Sequence, residues 1–284
     1  MNEQRIAVIT DSGTDTPAAF AAEYDVRVIP LRINYSDGST YENGVDITAE
    51  EVVERFAEEI PSTSLPSPMK IRDTLEQARR DGYTGAVVVT ISSGLSATFE
   101  TIGMVARQME NFPVVMVDTK SIGIAAGFVV MEAVRQIEAG MPLERLGSVL
   151  TAVSERVRVF FSVQKLDFLR KGGRISEAVY RVGSVLNIKP VLTCSPEGKY
   201  VIEKKARGWQ RALDTQISLV AEQAARWPQV RLAVCTYDPA LREELVPRLR
   251  ERVGNAVEVL TTGLSADLLV HTGPTLVGMG VQGI

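Results

Sequence analysis

The chain has 284 residues, a formal net charge of −4, 45% hydrophobic and 23% charged side chains, two cysteines and one histidine. That length favours two domains over one core, and the composition is that of a folded globular protein rather than a disordered one. The acidic balance argues against a nucleic-acid binder, which ordinarily carries a basic excess. With so few cysteines and histidines and no clustered carboxylates, neither a metal site nor a cofactor is expected.

RIAVITD at the amino terminus reads as a strand, and no basic and apolar leader pattern precedes it, so a cytoplasmic protein is expected. A Ser12-Gly13 turn and a helix from Thr16, with Pro17 in its first turn, follow. VRVIPLRIN is the second strand, and SDGSTYENG after it carries a turn at Asp37-Gly38. Thr48 and Glu51 form a capping box that opens the helix AEEVVERFAEE. PSTSLPSP reads as a proline-stiffened connection, followed by the helix IRDTLEQARRDG, the strand AVVVTI and a helix capped by Ser96. Next come the strand PVVMVDT and the small-residue helix SIGIAAGFVVMEAVRQIEAG, whose apolar run ends at Glu132, too short to span a bilayer. This alternation implies an α/β first domain, residues 1–150, with a mostly parallel sheet flanked by helices.

The pattern changes in residues 151–284, expected to form an α+β domain. VRVFFSV is a strand, FLRKGGRIS a basic turn and AVYRVGSVLN a short helix. PVLTCSPEGKYVIEKKAR reads as an antiparallel hairpin. A long helix, the strand VRLAVCTY, a helix to Val253, the strand VEVLTTG and a glycine-rich tail complete the chain. Cys194 and Cys235 lie inside apolar runs and read as buried thiols rather than a disulfide or redox pair.

Four polar stretches are candidates for chemistry. Ser92-Ser93-Gly94-Leu95-Ser96 follows a strand at the end where open α/β sheets bind ligands, though serines there also serve simply as helix caps. Gly94-Leu95-Ser96-Ala97-Thr98 resembles a nucleophile elbow but has Thr98 where its last glycine should be. A serine hydrolase or acyltransferase using Ser93 or Ser96 with His271 is therefore an alternative from another class. The loop PSTSLPSP offers a row of hydroxyls, Thr63 and Ser64 among them, held in an extended shape by prolines. Arg170, Lys171 and Arg174 concentrate positive charge beside two glycines, which suits an anionic ligand or partner as well as a solvated turn. His271 stands in a Gly-Pro turn, where a structural role competes with a functional one.

Taken together, ITDSGTD, TSLPSP, ISSGLSATFE, VDTKSIG, FLRKGGRIS, IKPVL and HTGP, in order along nearly the whole chain, resemble the DegV family of bacterial fatty-acid-binding proteins, the partners of fatty acid kinase. The resemblance implies two domains with a cleft that buries a long acyl chain of the palmitate or oleate class. It implies a carboxylate held by hydroxyls, with Thr63 and Ser93 carried over and Ser64 and Ser92 beside them, and His271 and the cations near the mouth, where the kinase docks. Leu65 stands where the family often has Gln, and Thr275 where it often has Gly.

The implied function is a carrier that presents the carboxylate to a separate ATP-dependent kinase for acyl-phosphate formation feeding phospholipid synthesis. It would have no catalysis of its own and at most transient membrane contact. A sensor without a kinase is a third reading. Burying about sixteen carbons at roughly 0.8 kcal/mol each contributes on the order of 12 kcal/mol before ordering costs. The head group then needs orientation more than energy.

Overall fold

A computed structural model describes residues 2–184 and 187–284; the expected helix AVYRVGSVLN runs into 185–186, outside the described residues. Strand β1 (Ile6–Asp11) passes through a 3-10 turn (Ser12–Thr14) and helix α1 (Ala18–Glu23) into β2 (Arg27–Ile29). The expected strand VRVIPLRIN breaks at Pro30, which has no N–H to give to a ladder. Its second half, β3 (Arg32–Asn34), turns away to form a small antiparallel sheet with β4 (Thr40–Glu42) and β5 (Ser62–Ser64). PSTSLPSP is thus not wholly irregular: its prolines flank three residues free to pair, and those three become β5.

Helix α2 (Ala49–Arg55) carries the expected capping box: Glu51 N donates to Thr48 Oγ1, and Thr48 N donates to Glu51 Oε2. Helix α3 (Pro68–Arg80), β6 (Gly85–Thr90), α4 (Thr98–Ala106) and β7 (Val114–Asp118) complete the first sheet. Its order is β2-β1-β6-β7, parallel throughout. Every residue of β1 and β6 is buried, because helices cover both faces. On one face, Ile71 and Leu75 of α3 and Ile102 of α4 pack on Ile9 and Val88. On the other lie α5 (Gly123–Glu138) and α6 (Leu143–Ser154).

The second half contains β8 (Val157–Ser162), α7 (Asp167–Lys171), α8 (Glu177–Ser184), β9 (Ile188–Cys194), β10 (Tyr200–Arg207) and α9 (Trp209–Ala224). It continues with β11 (Val230–Thr236), α10 (Pro239–Arg252), β12 (Ala256–Thr262), α11 (Ala266–Thr272) and β13 (Val277–Gly283). The strands form one mixed sheet, β10-β9-β8-β13-β11-β12, with β9 and β10 paired as the expected hairpin. Part of the expected basic turn FLRKGGRIS is helical, as α7, and the chain turns only at the two glycines. Helix α5 packs on both sheets, which is why it is apolar nearly all round.

The glycine-rich tail is the largest departure from expectation. It is strand β13, at the centre of the sheet between β8 and β11. Glycine is depleted in strands, but here its missing side chains let neighbours close in. A Cβ on Gly278 would lie 2.6 Å from Cys235 Sγ. Gly278→Ala should therefore cost about 1–3 kcal/mol in urea unfolding, the range for overpacking, with Cys235→Ala in the same chain recovering most of it. An unchanged midpoint would show that the contact relaxes without strain.

Both cysteines are free; Cys235 is buried and Cys194 half-buried. Burial pushes the Cys194 thiol up to about 12. Among the described residues no helix is long and apolar enough to cross a membrane, and no cluster of His, Cys, Asp or Glu is arranged to hold a metal ion.

Candidate functional site

Strands β1 and β6 lie side by side, and the chain leaves them in opposite directions, toward β2 and toward β7. The crevice at their carboxyl ends is the switch point at which open α/β sheets take ligands. The loops Asp11–Asp15 and Ser92–Ser96 reach into it, and β5 and α11 close it from the far side. The resulting cavity, about 40 Å³, has polar walls at Thr63, Ser96, Arg174, Asp267 and His271 and apolar ones at Leu31, Ile91 and Leu268. A smaller apolar cavity of about 20 Å³ continues behind it. The two share Ile122, Tyr200 and Leu268, and Tyr200 stacks edge-on against Phe161 at 4.9 Å.

The polar end is built around one hydrogen bond, Thr63 Oγ1 to His271 Nε2 at 2.7 Å. Thr63 faces inward because side chains alternate along β5. The imidazole lies against Gly172, where a Cβ would come within 2.2 Å of Nδ1, so a larger residue at 172 would displace the ring. Nδ1 is buried without a partner. Burial, and then the charge of Arg174, hold the His271 pKa down at about 3. The histidine is therefore neutral at physiological pH, and Arg174 is the one cation among the described residues of this wall. Burial draws the guanidinium below its ordinary range while leaving it charged. It donates to Gly172 O.

His271 is held in place through its helix. Asp267 lies one turn earlier on the same face of α11 and accepts from Ser12 Oγ and Ser265 Oγ, each at 2.5 Å. Ser265 N donates to Asp15 Oδ1 at 3.0 Å, and Ala266 N to Asn43 Oδ1 at 3.2 Å. Asp15 Oδ2 is buried with no partner. Asp11 accepts from Gly13 N and Ile91 N. Burial raises both Asp11 and Asp15 to about 7, against the hydrogen bonds they accept. This clamp was missed in the sequence. ITDSGTD was visible as a motif, but its partners are about 250 residues away.

The serines sort differently from expectation. Ser92 is fully buried; its Oγ donates to Gly198 O at 2.8 Å and accepts from Gly94 N at 3.0 Å. It locks the loop to the β9–β10 turn, where neither Gly94 nor Gly198 has room for a Cβ. Ser93 is not in the cavity wall: its Oγ accepts from Lys120 Nζ at 2.8 Å, beside the Asp118–Lys120 ion pair. Ser96 is in the wall and is not the helix cap. Ala97 holds the cap position without a side-chain bond, and Ser96 Oγ shares a hydrogen bond with Thr98 Oγ1 at 2.7 Å. Glycine and serine spacing alone did not reveal how far the loop travels before the helix starts.

Ser64 faces away from Thr63 and donates to Asn34 Oδ1 at 3.4 Å. Of the three expected cations, only Arg174 reaches the cavity. Arg170 pairs with Glu177 at 2.8 Å and lies over the Tyr180 ring, and Lys171 Nζ donates to Ile60 O at 2.7 Å. Leu65 contributes its carbonyl, which accepts from Arg32 Nε at 3.0 Å. Thr275 Oγ1 accepts from Gln164 N at 3.2 Å, tying the turn after α11 to the end of β8. Among the described residues no hydrogen-bonded Ser–His–Asp chain forms, since His271 Nε2 bonds Thr63 and Asp267 bonds Ser12 and Ser265.

Comparison with known proteins places this geometry in a family. Residues 5–283 match the profile of an uncharacterised protein family, DegV family COG1307. A DegV domain-containing protein of Clostridium acetobutylicum is 31% identical over 277 residues, 97% of this chain and 98% of that one. A DegV family protein from Thermus thermophilus, solved in a study of its fatty-acid binding, superposes with a TM-score of 0.88 at 30% identity over 100% of both chains. DegV of Bacillus subtilis, a fatty acid binding protein, gives a TM-score of 0.88 at 25% identity, also over 100% of both. The chain belongs to the DegV family.

Proposed function

We propose that this protein binds one long-chain fatty acid, of the palmitate or oleate class, with its carboxylate at Thr63, Ser96, Arg174 and His271 and its tail running past Tyr200. The observation that carries this reading is a neutral Thr63–His271 pair and one half-buried cation at the polar end, where Asp267 is already engaged by Ser12 and Ser265, of a passage whose inner end is apolar. Such a site orients an anion while most of the affinity comes from the tail. The hydroxyl expected of Ser93 is assigned to Ser96, three residues on, because Ser96 is the one in the wall. The fatty-acid binders among the solved DegV structures support the ligand class.

Within the same proposal, the protein is a non-catalytic cytoplasmic carrier that presents the carboxylate to an ATP-dependent fatty acid kinase, whose acyl phosphate feeds phospholipid synthesis. Calorimetric titration of delipidated protein with oleate tests the binding step and should give one site per chain; no heat and no uptake would overturn it. Arg170 and Lys171 are exposed beside the site, which suits them to docking the kinase. Lys171→Glu should lower turnover by the kinase several-fold while oleate binding changes less than two-fold, about 0.4 kcal/mol. Equal loss of both would make the Lys171–Ile60 contact structural.

A further inference from the structure

A strand at the edge of a sheet exposes unpaired N–H and C=O groups, and proteins blunt such edges with short strands, charges or bulges. Among the described residues, three of the four outer edges of the two large sheets are blunted in this way. Strand β2 has three residues, and its Arg27 is ion-paired to Asp25 and Asp81. On β10 the register shifts at Glu203, beside Lys204 and Lys205, and on β12 it shifts at Val257. The fourth edge, β7, has none of these devices. Val114-Val115-Met116-Val117 is an apolar run in regular register with β6, half-buried at its first three positions.

The free backbone groups of β7 follow from its ladder. Pro113 O accepts from Ala86 N, and Thr119 N donates to Thr90 O, so the odd-numbered positions face β6. Backbone groups alternate sides along a strand, and Val114, Met116 and Asp118 therefore point theirs outward. Clefts flank this edge along its length, one lined by Phe99, Met116 and Asp118, the other by Arg107, Val114 and Met116.

Helix α4 presents a self-complementary face beside the same edge. Glu100, Gly103, Met104 and Arg107 fall on one side of it, at the spacing of a single helical face. Glycine weakens a helix interior relative to alanine. A Cβ on Gly103 would lie 3.5 Å from Arg107 Nη1 and 4.0 Å from Met116 Cγ, ordinary contacts, so the chain itself does not require glycine there. Met104 beside it is 55% exposed. Glu100 and Arg107 are exposed and, among the described residues, form no ion pair.

We propose that two copies of this chain form a two-fold dimer through β7 and α4. With the axis at Met116, that residue lies opposite its own copy, and Val114 lies opposite the partner's Asp118. Each of these pairs exchanges both N–H to C=O hydrogen bonds, which joins two four-stranded sheets into one of eight. Because Gly103 packs over Met116, the same axis passes between Gly103 and Met104. Each Met104 then enters the space over the partner's Gly103, and each Glu100 meets the partner's Arg107. A two-fold contact needs a surface that complements itself, and this one does so in shape and in charge. No residue of β7 or α4 lines the head cavity, so the proposal stands apart from the fatty-acid reading.

Native mass spectrometry and light scattering of the full chain test it. At about 50 µM the parent should have twice the mass of one chain, and dilution should dissociate it. Glu100→Arg and Arg107→Glu, both at exposed positions, should each weaken the dimer at least about ten-fold. The two reversals combined in one chain should restore it, since opposite charges then face each other again. The amides of Val114 and Met116 should exchange slowly with deuterium in the dimer and lose that protection on dilution. A single-chain mass at every concentration would overturn the proposal. So would a dimer indifferent to both single reversals, or a combined variant as weak as either one alone.

Discussion

Arg174→Met should weaken binding of oleate by about 10- to 100-fold, the effect of losing a hydrogen bond to a charged group of about 1.5–3 kcal/mol. The same substitution should leave binding of methyl oleate nearly unchanged, because the ester carries no charge for a guanidinium to meet. No other cation among the described residues of the cavity wall substitutes for Arg174. His271 is held neutral down to about pH 3, and Arg170 and Lys171 are engaged elsewhere. For the same reason oleate affinity should show no inflection near pH 6.5, where an ordinary histidine titrates. Calorimetry at pH 6, 7 and 8 checks this on the parent and on Asp15→Asn, which lacks the Asp15 acid raised to about 7. A step centred near 6.5 that persists in the variant and is lost in His271→Gln would mean that His271 is charged when ligand binds.

Stability should fall as pH rises from about 4 to about 7, and Asp15→Asn should flatten that fall. In the folded chain Asp11 and Asp15 are raised from 3.8 to about 7, so between these values the native state holds protons that the unfolded state has lost. Each group therefore contributes stability that is fully present below about 4 and is lost as pH rises through 7. The full shift corresponds to an effect on the order of 4 kcal/mol per group, at 1.36 kcal/mol per pH unit. His271 acts in the opposite sense: with its pKa lowered from 6.5 to about 3, it costs stability as pH falls through that window. The two effects oppose each other between pH 4 and 6.5, and the acids act alone from 6.5 to 7.

Asp15→Asn removes one acid and keeps an oxygen to accept from Ser265 N. Its urea midpoint should match the parent at about pH 3.5, below the ordinary carboxyl range, and exceed it at pH 8. A midpoint below the parent at pH 8 would show that ionised Asp15 is stabilised where it lies, beside the first residue of α5.

What could be read in the sequence followed from local rules. The capping box at Thr48, the buried apolar runs of β1 and β6, and the β9–β10 hairpin each depend on residues close in the chain, and each appeared as expected. Thr63 and His271 were identifiable as candidates through resemblance, although 208 positions separate them along the chain. The misreadings share one physical cause. Whether a glycine run is a tail or a central strand depends on what packs against it, and β13 is defined by Cys235 and α5. Ser93 and Ser96 are three residues apart in one loop. Which of them meets the cavity is decided by Lys120 and Asp118, which hold Ser93 outside. The Asp267 clamp depends on Ser12 and Asp15 from the opposite end of the chain, and no spacing rule links them.

The most direct test of the central claim is mass spectrometry of the protein as purified from a bacterial host, first native and then after denaturation and organic extraction. The native mass should exceed that of the chain by one fatty acid, and the extract should contain an intact long-chain acid in about equimolar amount. A native mass equal to that of the chain alone, an extract without fatty acid, and no mass increase on adding palmitate or oleate would contradict it.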